Sequence, residues 1–315
     1  MAPSPTPPIY LMSPPRKDWS LRGKANFKSA AADAADASKA RQEWAALADA
    51  IVAAGGEVLV CPPHPEQALT GMIYTAEAGE LYRDARGETR FLLPNMAAAH
   101  RRLEADHLGP FFEALGIATE RASAVWEAQG DAIRASGADE IVHTFGTGPF
   151  ARTTRAAYAE LAQRLGGRHI QLEFLADPWF HGNTFLQILR HPSAPRALVV
   201  VCPEALAPGE LERLQAFLPD ARFVTISAAQ SQGYDTNSLQ VNETVIAPQS
   251  LSQTARAAIE DFGLVVRTLD LSELFLKGGG APVCLTNRLW AMDEGELPER
   301  FCWSKLGSIE AVTEA

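Results

Sequence analysis

Cys284 stands in GGGAPVCLTNRL, behind three consecutive glycines near the end of the chain, while upstream segments supply WEAQGDAI and DPWFHGNTF. They provide a thiol in Cys284, an imidazole in His181 and an acidic pair in Glu127 and Asp131. Such a set can carry covalent attack on an electrophilic carbon held beside a cation. The thiolate is the nucleophile, a partner manages its proton, and further groups orient the substrate. The parts need not be neighbours in sequence, because a fold can bring distant positions together. Singly, each has an ordinary structural explanation. A cysteine in an apolar stretch is commonly a small buried hydrophobe, a histidine between Phe180 and Gly182 is commonly satisfied by a carbonyl, and carboxylates four apart commonly share a solvated helix face. Gly130, directly before Asp131, argues against that helix and predicts that Glu127 and Asp131 flank a bend at the end of a strand. The glycines at 278, 279 and 280 would let backbone approach a ligand where side chains collide.

In their order, these segments resemble the guanidino-group-modifying enzymes of the pentein superfamily, which includes dimethylarginine dimethylaminohydrolases, arginine deiminases and amidinotransferases. The resemblance covers most of the chain. It runs through IYLMSPP (Ile9 to Pro15), TGMIYTAEAG (Thr70 to Gly79), HRRLE (His100 to Glu104), WEAQGDAI (Trp126 to Ile133) and GPFART (Gly148 to Thr153). It continues through FHGNTF (Phe180 to Phe185), NSLQVNETVIAP (Asn237 to Pro248) and GGGAPVCLTN. It implies Cys284 as nucleophile, His181 as acid/base, and Glu127 with Asp131 as the acids that grip the guanidinium. Arg102 and Arg152 fall where such enzymes hold a substrate carboxylate, with adjacent Arg101 as the alternative to Arg102 and an ion pair with Glu104 as the structural alternative for either. Glu77, Asn183 and Gly280 complete the substrate-binding set. The chain departs from many relatives in carrying Asn183 and Gly71 where they have aspartates. Losing two acids implies a weaker grip on a planar, donor-rich guanidinium or a different amidine substrate, unless Glu77 compensates.

The chemistry also follows from the groups themselves. A guanidinium carbon is shielded by resonance, so expelling an amine from it needs a strong nucleophile and a proton donor for the leaving nitrogen. A thiolate is the former, favoured by a nearby imidazolium or bound cation. An imidazole is the latter, and it can afterwards take a proton from the water that attacks the thiouronium. The expected activity is therefore hydrolysis of a guanidino C–N bond in arginine or an N-substituted arginine. The alternatives are an amidinotransferase that passes the amidino group to an amine, and a binding protein that keeps the scaffold without turnover.

Composition bounds the partners. The 315 residues are 47% hydrophobic and 21% charged, with a net charge of −10, as expected of a globular chain with a substantial core. No lysine or arginine run is present, which argues against nucleic acid or an anionic membrane as partner and is compatible with a small cationic guanidino substrate and with a homo-oligomer. Cys61, Cys202, Cys284 and Cys302 show no paired spacing, so no zinc or redox site is expected. GlyThrGly at 146–148 lacks the spacing and lysine of a phosphate loop, and no cofactor is expected. The start, MAPSPTPPIYLMSPP, is proline-rich rather than basic and apolar, and no stretch approaches the ~20 apolar residues needed to span a bilayer. A cytoplasmic location is expected.

The elements that must position these groups alternate between helix and strand. Residues 30–54 are alanine-rich with Trp44, Leu47 and Ile51 at helical spacing, and they end at Gly55 and Gly56 before a strand from Glu57. Strands are expected at 197–202, 222–226 and 264–269, and helices at 208–218 and 250–262. These units fit repeated α/β modules or a doubly wound sheet. The resemblance selects the former: an α/β pentein propeller of about five ββαβ modules around a pseudo-fivefold axis, as one catalytic domain over 1–315 with a proline-rich N-terminal tail and a C-terminal extension after about 290.

Overall fold

The computed structural model describes residues 7–21, 26–135, 139–193, 196–292 and 297–312. Its first module shows how the sequence builds each of the others. The alanine-rich stretch forms helix α1 (Ala37–Ala53). Asp36 caps it by accepting from the backbone N–H groups of Ser38 and Lys39 at 2.9 and 3.1 Å, satisfying donors that a helix start leaves orphaned. The chain leaves through Gly55 at φ 83°, a left-handed conformation that favours glycine. Trp44, Leu47 and Ile51 are fully buried on one face. Such burial contributes about 1.5–3 kcal/mol for each aliphatic side chain. The helix connects strand β1 (Ile9–Met12) to strand β2 (Glu57–Val60), paired in parallel with Leu11 opposite Leu59.

The same plan recurs four times. β3 (Glu80–Arg83) and β4 (Thr89–Leu93) are antiparallel, and helix α2 (Glu104–Ala114) leads to β5 (Ala118–Arg121), parallel to β4. β6 (Ala132–Ile133) and β7 (Glu140–Thr147) pair likewise, with helix α3 (Ala157–Arg164) and β8 (Arg168–Leu175). β9 (Leu186–Arg190), β10 (Ala197–Val201), helix α4 (Glu210–Phe217) and β11 (Arg222–Thr225) form the fourth module. β12 (Leu239–Val241), β13 (Thr244–Pro248), helix α5 (Gln253–Asp261) and β14 (Val265–Leu269) form the fifth. The antiparallel partner missing from the first module comes from the far end of the chain. β15 (Asn287–Arg288) pairs with β1, placing Arg288 opposite Tyr10.

Five three-stranded sheets result among the described residues, the ββαβ propeller that the resemblance implies. The elements read at 197–202, 208–218, 222–226, 250–262 and 264–269 correspond to β10, α4, β11, α5 and β14. One reading needs correction: Glu127 and Asp131 do flank a bend, a tight turn at Ala128–Gly130, but it precedes strand β6 instead of ending a strand. The expected N-terminal tail at residues 1–6 lies outside the described residues. Beyond residue 290, Trp303 packs edge-on against Trp44 with ring centroids 5.2 Å apart and donates to Asp49 at 2.7 Å, so this segment docks on α1. No helix among the described residues is long and apolar enough to cross a membrane.

The repeat explains how chemistry-bearing residues converge. Glu77 lies in the turn before β3, Glu127 and Asp131 around the turn before β6, and His181 and Asn183 at the turn before β9. Asn237 precedes β12, and Cys284 precedes β15. Each is the entry to the first strand of a module, and the pseudo-symmetry brings five such entries to one end of the axis.

Candidate active site

A cavity of about 60 Å³ at that end is lined by Cys284, His181, Glu77, Arg101, Arg152 and Tyr74, with Trp19, Phe180 and His100 among its other walls. Thiol and imidazole therefore face one space, although 102 positions separate them by number. Cys284 is 2% exposed. Its backbone N–H donates to Asn237 Oδ1 at 3.1 Å and its Sγ approaches Asn183 Oδ1 at 3.8 Å. Burial, then the negative charge of Glu77, push the thiol pKa far above its ordinary value. These surroundings keep the sulfur protonated.

His181 is held from both sides. Its Nε2 lies 2.8 Å from Glu127 Oε2, and its Nδ1 faces Glu77 Oε1 at 3.4 Å. Burial disfavours the imidazolium, but the hydrogen bond to Glu127 and the charges of Glu77, Asp131 and Glu127 outweigh it and raise the pKa. Gly130 permits this packing: a Cβ there would sit 3.0 Å from the imidazole Cγ.

Glu127 and Asp131 do not line the cavity, which corrects their expected grip on a guanidinium. Glu127, fully buried, receives His181, the Ala97 N–H at 3.1 Å and Arg152 Nη1 at 3.1 Å. Burial opposes its ionisation, yet His181, Arg152 and Arg101 together hold its pKa well below the usual range. Asp131 accepts from Thr144 Oγ1 and Thr153 Oγ1, both at 2.6 Å, and from the Gly182 N–H at 2.9 Å. All three partners donate, so the carboxylate is ionised despite the upward push of burial. Asp131 ties the His181 turn to β7 and to the Arg152 loop; Glu127 orients the imidazole.

Glu77 is the carboxylate that meets the cavity, as the compensating role predicted for it requires. It pairs with Arg101, which also donates to Glu104 through Nε at 2.9 Å and Nη2 at 2.6 Å and to the Gly71 carbonyl at 2.9 Å. Arg101, not Arg102, is the arginine of the site. Arg102 is exposed and donates to the carbonyls of Met96 and Ala97, because consecutive positions on this turn point apart. The departure at Gly71 has a steric cause: a Cβ would lie 2.3 Å from Glu104 Oε1 and 2.5 Å from Arg101 Nε. Glu104 fills the space that a side chain at 71 would take.

Two further assignments move. Asn183 touches the thiol from behind and does not line this cavity, and Gly280 is covered by the Tyr74 ring. Arg152 lines the cavity as expected, its guanidinium 5.4 Å from the Phe180 ring centroid. Sequence reading missed Thr144, Thr153 and Asn237 as supports, although Thr153 and Asn237 lay in segments marked by motif. Among the described residues no group of His, Cys, Asp and Glu is arranged to hold a metal.

The electrostatic balance is informative. Glu77, Glu104, Glu127 and Asp131 are buried beside Arg101 and Arg152. Four carboxylates against two guanidiniums leave two negative charges with His181 neutral and one with it protonated, so the site favours a cation. Replacing Arg102 with alanine is expected to leave stability and catalytic efficiency within about two-fold. Arg101→Ala is expected to cost about 3–5 kcal/mol, since it strands two buried carboxylates. Thermal unfolding of the two variants checks the contrast.

No protein-family model matches the chain. It is 27% identical over 255 residues to N(G),N(G)-dimethylarginine dimethylaminohydrolase of Mycobacterium tuberculosis, spanning 80% of this chain and 76% of that protein. It is 26% identical to an uncharacterised Caenorhabditis elegans protein, over 81% of this chain and 85% of that one. The N-terminal domain of ArgZ, solved covalently bound to a reaction intermediate, superposes with a TM-score of 0.77 at 20% identity over 90% of this chain and 97% of that domain. A dimethylarginine dimethylaminohydrolase adduct with S-methyl-L-thiocitrulline superposes with a TM-score of 0.64 at 20% identity, over 90% of this chain and all of that one. Five ββαβ modules and these relatives agree: the chain has the pentein fold and is similar over most of its length to guanidino-group-modifying enzymes.

Proposed function

We propose that the chain is a cysteine-dependent hydrolase that cleaves a guanidino C–N bond of arginine or an N-substituted arginine through a covalent thiouronium. The observation that carries this reading is the single cavity shared by Cys284, His181 and Glu77, with an excess of buried negative charge around it. A guanidinium entering beside Glu77 offsets the charge that keeps the thiol protonated, so substrate binding itself releases the thiol proton to solvent. The thiolate adds to the guanidinium carbon. Imidazolium at His181, favoured by its raised pKa, protonates the departing nitrogen, and the C–N bond breaks to leave the thiouronium and neutral imidazole. That imidazole then takes a proton from the attacking water, and collapse expels the thiolate and yields a ureido product. Arg152 at the cavity wall is the cation for a substrate carboxylate, with the neutral imidazole of His100 beside it as a hydrogen-bonding group. The similarity to dimethylarginine dimethylaminohydrolase, and to ArgZ with its covalent intermediate, supports this route.

The test is a panel of arginine, methylated arginines, agmatine and guanidinoacetate, with and without glycine or lysine, read by ureido product and by the mass of the quenched protein. Hydrolysis gives product without an added amine and an adduct equal to substrate less the released small amine. An amidinotransferase would leave a bare amidino group on Cys284 and need the amine for product. A protein that binds without turnover would give neither.

A further inference from the structure

Behind the nucleophile lies a second cavity of about 100 Å³. Its walls come from β6, β9, β12 and β15, each the first strand of its module, together with Tyr10 of β1, and none of them lines the substrate cavity. Two guanidiniums enter it around one indole: Arg134 lies 4.5 Å and Arg288 5.3 Å from the Trp290 ring centroid. Arg134 is paired with Glu80, whereas Arg288 has no carboxylate partner among the described residues. Among the described residues no carboxylate lines the chamber. Burial, then the charge of Arg288, lower the Arg134 pKa to about 9, which leaves Arg134 charged at neutral pH.

Of the chamber's buried polar atoms without a partner, one is an acceptor, Gln187 Oε1, and the other four can donate. Arg288 Nε, Trp290 Nε1, Asn183 Nδ2 and Ser238 Oγ are buried without hydrogen-bond partners, and Asn183 and Ser238 are only 2% and 1% exposed. A buried donor left unsatisfied is costly, and a cluster of them around uncompensated positive charge calls for an anion. Leu186, Leu239 and Val283 supply an apolar floor, which suits an organic anion more than an inorganic one.

We propose that this chamber binds a small organic carboxylate, at a site distinct from the substrate cavity, and that Asn183 couples the two. The Asn183 side chain forms part of the chamber wall while its Oδ1 rests 3.8 Å from the Cys284 sulfur. A carboxylate that takes up its free Nδ2 fixes the amide against the nucleophile.

Calorimetric titration of the full chain with butyrate and with glutarate tests this, beside inorganic phosphate and the variants Arg288→Gln and Arg152→Gln. Expected are saturable binding of a carboxylate, a dissociation constant raised about ten-fold or more by Arg288→Gln, and little change in Arg152→Gln, which alters only the substrate cavity. Trp290→Phe keeps the ring and removes one donor, and it is expected to weaken binding in the same direction should Arg288→Gln fail to fold. Absence of saturable binding, binding lost in Arg152→Gln but kept in Arg288→Gln, or phosphate binding as tightly as the carboxylates would overturn the proposal. The coupling is read as a change of at least about two-fold in the rate at which iodoacetamide alkylates Cys284 when carboxylate is saturating; an unchanged rate refutes it.

Discussion

Cys284→Ala is expected to lower turnover by about 10⁴-fold or more while leaving the fold intact, because it removes the one atom that bonds to substrate. The sulfur is buried and its neighbours, Asn183, Asn237 and the Ala281 backbone, are uncharged, so its loss leaves a small void and no stranded charge. The position of the residue depends instead on its backbone N–H and Asn237, which alanine preserves. Parallel assays of turnover and melting temperature separate the two effects. A variant that retains measurable turnover of its substrate would require another nucleophile. Cys61, Cys202 and Cys302 are all buried, and none lines the substrate cavity.

The second large effect belongs to Glu127→Gln. The amide can still accept from His181 Nε2, but the charge that favours the imidazolium disappears and the ion pair with Arg152 is lost. We expect catalytic efficiency to fall by about 10²–10³-fold, within the range attributable to general acid–base catalysis. The alkaline limb of the pH profile should also move down, because His181 will lose its proton at a lower pH. A loss with an unshifted limb would place the role of Glu127 in packing. Stability carries the same signature. The raised folded pKa of His181 makes its pairing stabilise the protein fully below the unfolded value of 6.5, and that contribution is lost as pH rises through the folded value. Glu127, with its pKa depressed, contributes above the unfolded value of 4.5 and loses that contribution as the protein is acidified.

Much of the fold was legible because its signals are local. Trp44, Leu47 and Ile51 mark one helix face, Gly55 ends that helix, and the apolar run from Ala197 is too short for anything but a strand. The closure of the first module by β15 was not legible, since two residues, Asn287 and Arg288, carry no periodicity and their partner β1 lies at the other end of the chain. At the site, Cys284, His181, Glu77 and Arg152 line one cavity. The direction of each carboxylate was beyond sequence. Glu127 and Asp131 are spent on His181, Arg152, two threonines and two backbone N–H groups, and which of two adjacent arginines turns inward depends on the turn at Ala99–Arg101. Gly71 reads in sequence as a missing acid, whereas in space it is room already taken by Glu104.

The claim on which the rest depends is that one thiol in a cation-selective cavity does the chemistry. It is tested most directly by comparing 2-chloroacetamidine, a planar cation, with neutral 2-chloroacetamide as alkylating agents, located by peptide mass spectrometry. The account predicts that the amidine modifies Cys284 alone among the four cysteines, faster than the amide by about ten-fold or more after correction for intrinsic reactivity, given one net buried negative charge at the site, and that arginine slows it. Equal rates for the two reagents, or label spread over other cysteines with no protection by arginine, would contradict it.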